Sequence, residues 1–174
     1  MGIVLSWRME KIRYLGINAP EIAYEDRPSE PFGKEALIFN MKLVKRKKVR
    51  LETEKESHDC YGHLLAYVFL DSGTFVNEEM VKAGYAYVLF LNPNLKYNSR
   101  LLAAQRQAMR KKEKYMEDAI KKTAPYYLGN TSSHKFHRPD CEYGKKIFPS
   151  HLIIFKDKWD AYYEGYSPCR RCRP

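Results

Sequence analysis

The chain has no apolar run approaching the length of a membrane-spanning helix, which excludes a helical anchor within it. Internal repeats and low-complexity tracts are also missing, so neither a solenoid nor a compositionally biased chain is expected. Cysteine is scarce: of 4 in total, three fall at or beyond position 141. Acidic residues are in deficit, with 21 Asp and Glu against 31 Lys and Arg and a formal net charge of +10. Such a balance favours a polyanionic partner through counterion release. No amphipathic basic helix is isolated at a terminus, so nucleic acid is expected as the partner and a membrane surface is not. Ile3-Val4-Leu5 is too short for a signal-peptide core and lacks a basic leader. As encoded, a cytoplasmic protein is expected; a start upstream of Met1 leaves secretion open. What is present in quantity is aromatic: 14 tyrosines offer stacking faces for bases, core filling, or both. With 44% hydrophobic residues in 174, the chain can bury a core and has room for one domain plus a small module.

Ile12, Tyr14 and Ile17 read as extended, and Pro20 ends that strand. Pro28 and Pro31 mark a loop. Gly33 to Lys45 reads as a helix, with Leu37, Met41 and Val44 on one face. Val49 to Thr53 alternates like a half-buried strand. Leu64–Leu70, Asp71-Ser72-Gly73 and Thr74-Phe75-Val76 read as a hairpin. Asn77 is expected to cap a short helix that stops at Gly84. A long helix is expected from Asn98 or Ser99 to about Lys122, with Leu102, Met109, Met116 and Ile120 as its stripe. Residues 125–133 hold Pro125, Gly129 and a Thr-Ser-Ser run and read as a linker. It would divide a domain at 1–124 from a module at 134–174.

The module carries His137-x3-Cys141 and Cys169-x2-Cys172. Thiolates and imidazole are the donors Zn²⁺ prefers, and four of them close a tetrahedral structural site. Between the two pairs lie a strand at Leu152–Phe155 and a helix capped by Asp157 and ended by Gly165. So small a unit buries too little apolar area to fold unaided, which motivates a structural metal. A disulfide needs an oxidising compartment, and a redox Cys-x-x-Cys needs a βαβ setting; neither is indicated. His134 and His151 are rival imidazoles, but His-x3-Cys puts both donors on one knuckle. Cys60 stands apart and reads as a small apolar residue. The stretch from Ser133 through Cys141, with Gly165-Tyr-x-Pro-Cys-x-x-Cys-x-Pro174, resembles the metal-binding domain of the Ada DNA-repair protein. There all four ligands are cysteines and the first accepts a methyl group. His137 holds that position here, so the resemblance implies the zinc fold and not the repair activity. Arg170, Arg171 and Arg173, beside the metal, are candidates for phosphate contact or for plain solvation.

Arg13-Tyr-Leu-Gly-Ile-Asn-Ala-Pro-Glu21 places a guanidinium and a carboxylate at the two ends of a strand-then-turn. His63 follows within Asp59-Cys-Tyr-Gly-His-Leu-Leu-Ala-Tyr67. A base, a phosphate clamp and a second cationic group are the parts phosphodiester cleavage needs. These segments, with Gly33-Lys-Glu-Ala36, Val76-Asn-Glu-Glu-Met-Val-Lys-Ala-Gly84 and the long helix, are similar in order and spacing to the staphylococcal nuclease family. The resemblance covers residues 11–122. It implies an α+β fold, an OB-fold-type β-barrel with three helices, and Ca²⁺-assisted cleavage of DNA or RNA. By the same resemblance Glu21 falls on the general base and Arg13 on the phosphate-clamping arginine. His63 falls on a second arginine, and Tyr61 on a phosphate-contacting tyrosine. Asn18 falls on a calcium-binding aspartate, Ala19 on a residue whose carbonyl binds the metal, and Phe90 near base-stacking aromatics.

Three departures follow. An imidazole offers one donor where arginine offers a fork and is cationic only near or below about pH 6.5. Asn18 keeps an oxygen but loses a charge, so weaker calcium binding is expected. The family's opening strand, with its second metal-binding aspartate, would lie at or before Met1. That implies an upstream start or an incomplete barrel. The bland readings are an Arg13–Glu21 ion pair at a turn, a surface His63 and a core Tyr61. The expected function is a nuclease with a zinc module that helps hold substrate. The alternatives are a catalytically impaired nucleic-acid-binding protein on the same barrel, or a zinc module that is an interaction or structural cap.

Overall fold

The computed structural model describes residues 9–23, 28–111 and 120–174. The expected opening strand and Met116 lie outside them. The fold is mixed α+β. β1 (Ile12–Tyr14) pairs in parallel with β4 (Leu64–Leu70), and β3 (Val49–Glu52) pairs antiparallel on its other side. β2 (Ile17–Asn18) pairs antiparallel with β5 (Tyr87–Val88). The barrel implied by resemblance is represented among the described residues by these two sheets around one core. That core joins Leu15, Ile17, Leu65, Tyr67, Phe69 and Val88 to Phe75, Met80 and Val81.

Three helices cover it: α1 (Gly33–Val44), α2 (Val76–Lys82) and α3 (Asn98–Arg110). α1 does not use its expected face. Leu37 and Met41 are 43% and 41% exposed, while Ala36, Phe39 and Leu43 pack on the core. Asn77 does not cap α2. It is fully buried, donating from Nδ2 to Leu15 O (2.8 Å) and accepting from Val68 N (3.0 Å), so it ties the β1–β2 turn to β4.

The stretch expected as a linker contains a strand. β6 (Tyr127–Asn130) lies inside a third sheet of order β8-β6-β7-β9, with β7 (Lys135–His137), β8 (Leu152–Phe155) and β9 (Ser167–Pro168). Gly129 looked like a breaker. It is needed because a Cβ there would lie 2.5 Å from the Phe155 ring. α4 (Glu142–Lys145) and α5 (Lys158–Tyr163) complete this half. Asp157 caps α5 as its sequence predicts, accepting from Asp160 N at 3.0 Å.

The halves share α3. It gives Leu101 and Ala104 to the first core, and Ala108 and Met109 to a second core with Tyr127, Phe136, Phe155 and Tyr162. Gln105, fully buried between them, accepts from Val88 N and donates to Tyr162 O. No helix among the described residues is long and apolar enough to cross a membrane.

Candidate active site and metal centre

Arg13 sits mid-strand in β1, opposite Leu65 of β4. The chain then turns through Gly16, whose φ of 75° suits glycine and whose absent Cβ would lie 2.5 Å from Leu101 Cδ1. This tight turn brings Asn18 back to Arg13. Arg13 Nη2 donates to Asn18 Oδ1 at 2.7 Å, and Asn18 Nδ2 donates to Tyr87 OH at 2.9 Å and to Ala19 O at 3.4 Å. Arginine only donates, so the amide orientation follows: oxygen to Arg13, nitrogen toward the Ala19 carbonyl. Burial, and then the cation of Arg170, push the Arg13 guanidinium down from its ordinary value, while Tyr87, Glu21 and Asp59 push it up. Arginine stays charged throughout.

Glu21 follows, exposed. Its backbone is pinned, donating from N to Glu30 Oε2 (3.0 Å) and accepting from Glu30 N (2.8 Å). α1 opens on Gly33 because a Cβ there would lie 2.6 Å from Glu21 O. The helix start and the position of Glu21 therefore depend on one another.

His63 is held by Asp59. Asp59 Oδ1 accepts from Tyr61 N and His63 N, each at 2.9 Å, and Oδ2 lies 2.9 Å from His63 Nδ1. A carboxylate there holds the proton on Nδ1 and turns Nε2 outward. Burial raises the Asp59 carboxyl, but the hydrogen bonds from His63 and Tyr61 outweigh it and hold the group below its ordinary range. Tyr61 is 82% exposed, so it is not core. Phe90 is half-buried with its ring on that of His134, centroids 4.6 Å apart.

These groups open onto adjoining cavities. One, about 430 Å³, is lined by Arg13, Asn18, Asp59, Tyr61, His63 and Phe90 of the first half together with Lys135, Pro168 and Arg170 of the second. A second, about 810 Å³, holds Glu21, Glu30, Lys158 and Arg173, and shares Asn18, Tyr87, Pro168 and Arg170 with the first. Arg171 lines neither. Arg13 and Glu21 also border a largely apolar cavity of about 690 Å³ beside α1. Sequence reasoning missed Asp59 and Lys135, while Arg173, a candidate for phosphate contact, lines the second cavity. Lys135 carried a signal, because residues two apart on a strand share a face and Lys135 precedes His137 by two.

In the C-terminal half the donor atoms of His137, Cys141, Cys169 and Cys172 all lie within 4.8 Å of one another. His134 and His151 are not among them. Cys60 is exposed, so its reading as a packed apolar residue does not hold. His137 ends β7 and Cys141 precedes α4. Gly144 lets α4 lie against the imidazole, since a Cβ would sit 2.9 Å from His137 Cβ. Burial, and then Lys135, hold the His137 imidazole below its ordinary value, leaving the neutral ring that a metal takes. Burial raises the Cys141 thiol, but the backbone of Gly144 and Tyr143 and the Cys172 and Cys169 thiols outweigh it. Burial pushes Cys172 up to about 12. Three thiols and an imidazole this close are a four-donor set of the kind that holds zinc.

The family model described as staphylococcal nuclease homologue matches residues 11–115. The chain belongs to the staphylococcal nuclease homologue family. A second model, the metal binding domain of Ada, matches residues 105–174. Together they give a nuclease-family region followed by an Ada-type metal-binding region. The chain is 40% identical over 106 residues to a thermonuclease of Staphylococcus hyicus and 38% identical over 102 residues to that of Staphylococcus intermedius. These matches take in 61% and 59% of this chain and 62% and 60% of the relatives' own length. Endonuclease YhcR of Bacillus subtilis is 28% identical over 178 residues, taking in 90% of this chain and 14% of that protein. That similarity therefore runs on into the metal-binding half.

Proposed function

We propose that this chain hydrolyses phosphodiester bonds of nucleic acid. The observation that carries the reading is the placement of Glu21 and His63 in adjoining cavities that share the wall of Asn18, Tyr87 and Arg170. Displacement at phosphorus sets the attacking and leaving oxygens roughly in line, on opposite sides of the phosphorus. A phosphate at that wall has Glu21 on one side to take a proton from water. His63 lies on the other side and, in its imidazolium form with Nδ1–H held by Asp59, gives the Nε2 proton to the leaving oxygen. Arg13 and Arg170 donate to the equatorial oxygens, where charge gathers and each aimed donor is worth roughly 10²–10³-fold. Exposed Tyr61 contacts the flanking phosphate, and Phe90, which lines the same cavity, takes a base.

Zn²⁺ fits the His137, Cys141, Cys169 and Cys172 set, where it supplies structural cross-linking. We place the nuclease domain at 1–124 and the zinc module after it, with β6 an inner strand of the module's sheet rather than part of a free linker. Ca²⁺, implied by the family resemblance, does not fit Asn18 and Ala19 as they stand. Asn18 Oδ1 is committed to Arg13, and an N–H of Asn18 faces the Ala19 carbonyl. No step above uses it.

That same amide favours one competing reading, a nucleic-acid-binding protein that does not cleave. Digestion of single-stranded DNA, duplex DNA and RNA separates the two. Glu21→Gln is expected to slow cleavage by roughly 10²–10⁴-fold. Cleavage indifferent to Glu21→Gln sinks its role as base, and binding without any cleavage establishes the competing reading.

A further inference from the structure

We propose that the metal module is the second wall of the phosphate cleft. Lys135 and Arg170 bind the phosphodiester opposite Arg13, and metal ligation fixes that wall, so metal loading sets nucleic-acid affinity. This deepens the nuclease reading and rests on it for the identity of the anion.

The backbone carries the placement. β7 pairs in parallel with β9, Lys135 opposite Ser167 and Phe136 opposite Pro168. Fully buried Phe136 anchors one face of β7 in the second core. The alternation of a strand then puts Lys135 and His137 together on the other face. Pro168 leads into Cys169-Arg-Arg-Cys172, so Arg170 stands on a loop fixed at both ends by metal ligands. Both cations therefore hang on the cluster: one two residues before a ligand, the other between two ligands.

The charges carry the chemistry. Lys135, Arg170 and Arg13 meet in one cavity of about 430 Å³, whose one carboxylate, Asp59, is engaged by His63. Among the described residues no salt bridge or side-chain hydrogen bond engages Lys135 or Arg170. Several cations elsewhere are paired, as Arg100 is with Glu78 at 2.6 Å and Arg50 with Glu52 at 3.1 Å. Three converging cations repel one another until an anion joins them. A phosphodiester threaded between the walls supplies it, with Arg170 presenting a fork and Lys135 a point charge.

The test is fluorescence anisotropy with a short labelled phosphorothioate single strand, which resists hydrolysis, titrated over a salt series with the full chain. Lys135→Met and Arg170→Gln are each expected to weaken binding about tenfold. Each should also flatten the slope of log K against log salt by about 0.7. Lys156→Gln, an exposed lysine of the same module outside the cavities, leaves both readings unchanged. Chelating the metal weakens the wild type at least as far as the double variant Lys135→Met/Arg170→Gln, and weakens that variant no further. Lys135→Met and Arg170→Gln behaving like Lys156→Gln would overturn the proposal. So would metal removal without effect on affinity, or no binding by the wild type. Because the probe is not cut, binding as expected with failure to cleave ordinary DNA or RNA overturns the nuclease reading alone.

Discussion

The N-terminal half buries Leu65, Tyr67, Phe75 and Leu101 at 2% exposure or less in one core under three helices. The C-terminal half spreads four short strands into a sheet that leaves Leu152, Ile153 and Ile154 of its edge exposed. It also gathers three thiols and an imidazole beside its own core of Tyr127, Phe136, Phe155 and Tyr162. One half is closed by apolar burial, at roughly 25 cal/mol per Å². The other adds to its core a four-donor cluster of the kind a metal cross-links. The contrast matters for function because the cleft has one wall from each half. The nuclease-family wall, with Arg13, Asn18 and His63, is held by strand pairing and an Asp59 loop. The facing wall, with Lys135 and Arg170, is held by metal ligands.

Removing the metal tests that contrast with the largest effect. Structural zinc contributes on the order of 10 kcal/mol to folding small modules. Chelation, or Cys141→Ser, is expected to release hydrogen-exchange protection in β6 to β9 while β4 and α2 stay protected. Loss of protection in both halves at once would erase the distinction. Gln105 probes the opposite property, the join between the halves. Gln105→Leu strands Val88 N–H and the Tyr162 carbonyl in the interior, at about 1–3 kcal/mol each. Both halves should then melt earlier; a shift confined to one would show that Gln105 does not stabilise the join.

How much of this was legible in the sequence followed from the range of the forces involved. β8 and the Asp157 cap are set by neighbours within a few residues, and their patterns read correctly, while His-x3-Cys and Cys-x2-Cys each showed a local donor pair that the fold brings into one cluster. α1 misled because Leu37 and Met41 keep helical spacing, yet the covering layer meets Ala36, Phe39 and Leu43 instead. Asn77 looked like a cap because its true partners, Leu15 O and Val68 N, lie on distant strands. β6 looked like a linker because Gly129 marks a close approach of Phe155, which only the assembled sheet reveals. In the site, Arg13, Glu21 and His63 were visible as a motif. Lys135 was not, because its importance depends on the two halves meeting.

Asn18 offers a smaller test on the nuclease-family side. Asn18→Asp replaces the N–H that faces the Ala19 carbonyl with a second oxygen. Calcium is expected to raise the melting temperature of this variant and to leave that of the wild type unchanged. Equal stabilisation of both would mean that the Arg13–Asn18 bond does not block the position.

The most direct test of a cleft shared by both halves is a double-mutant cycle on cleavage rate with Arg13→Ala and Arg170→Ala. If both guanidiniums hold one phosphate, each single change slows cleavage by roughly 10²-fold or more. The double change then falls well short of the product. An Arg170→Ala protein that cleaves like the wild type, or effects that simply multiply, would contradict the account.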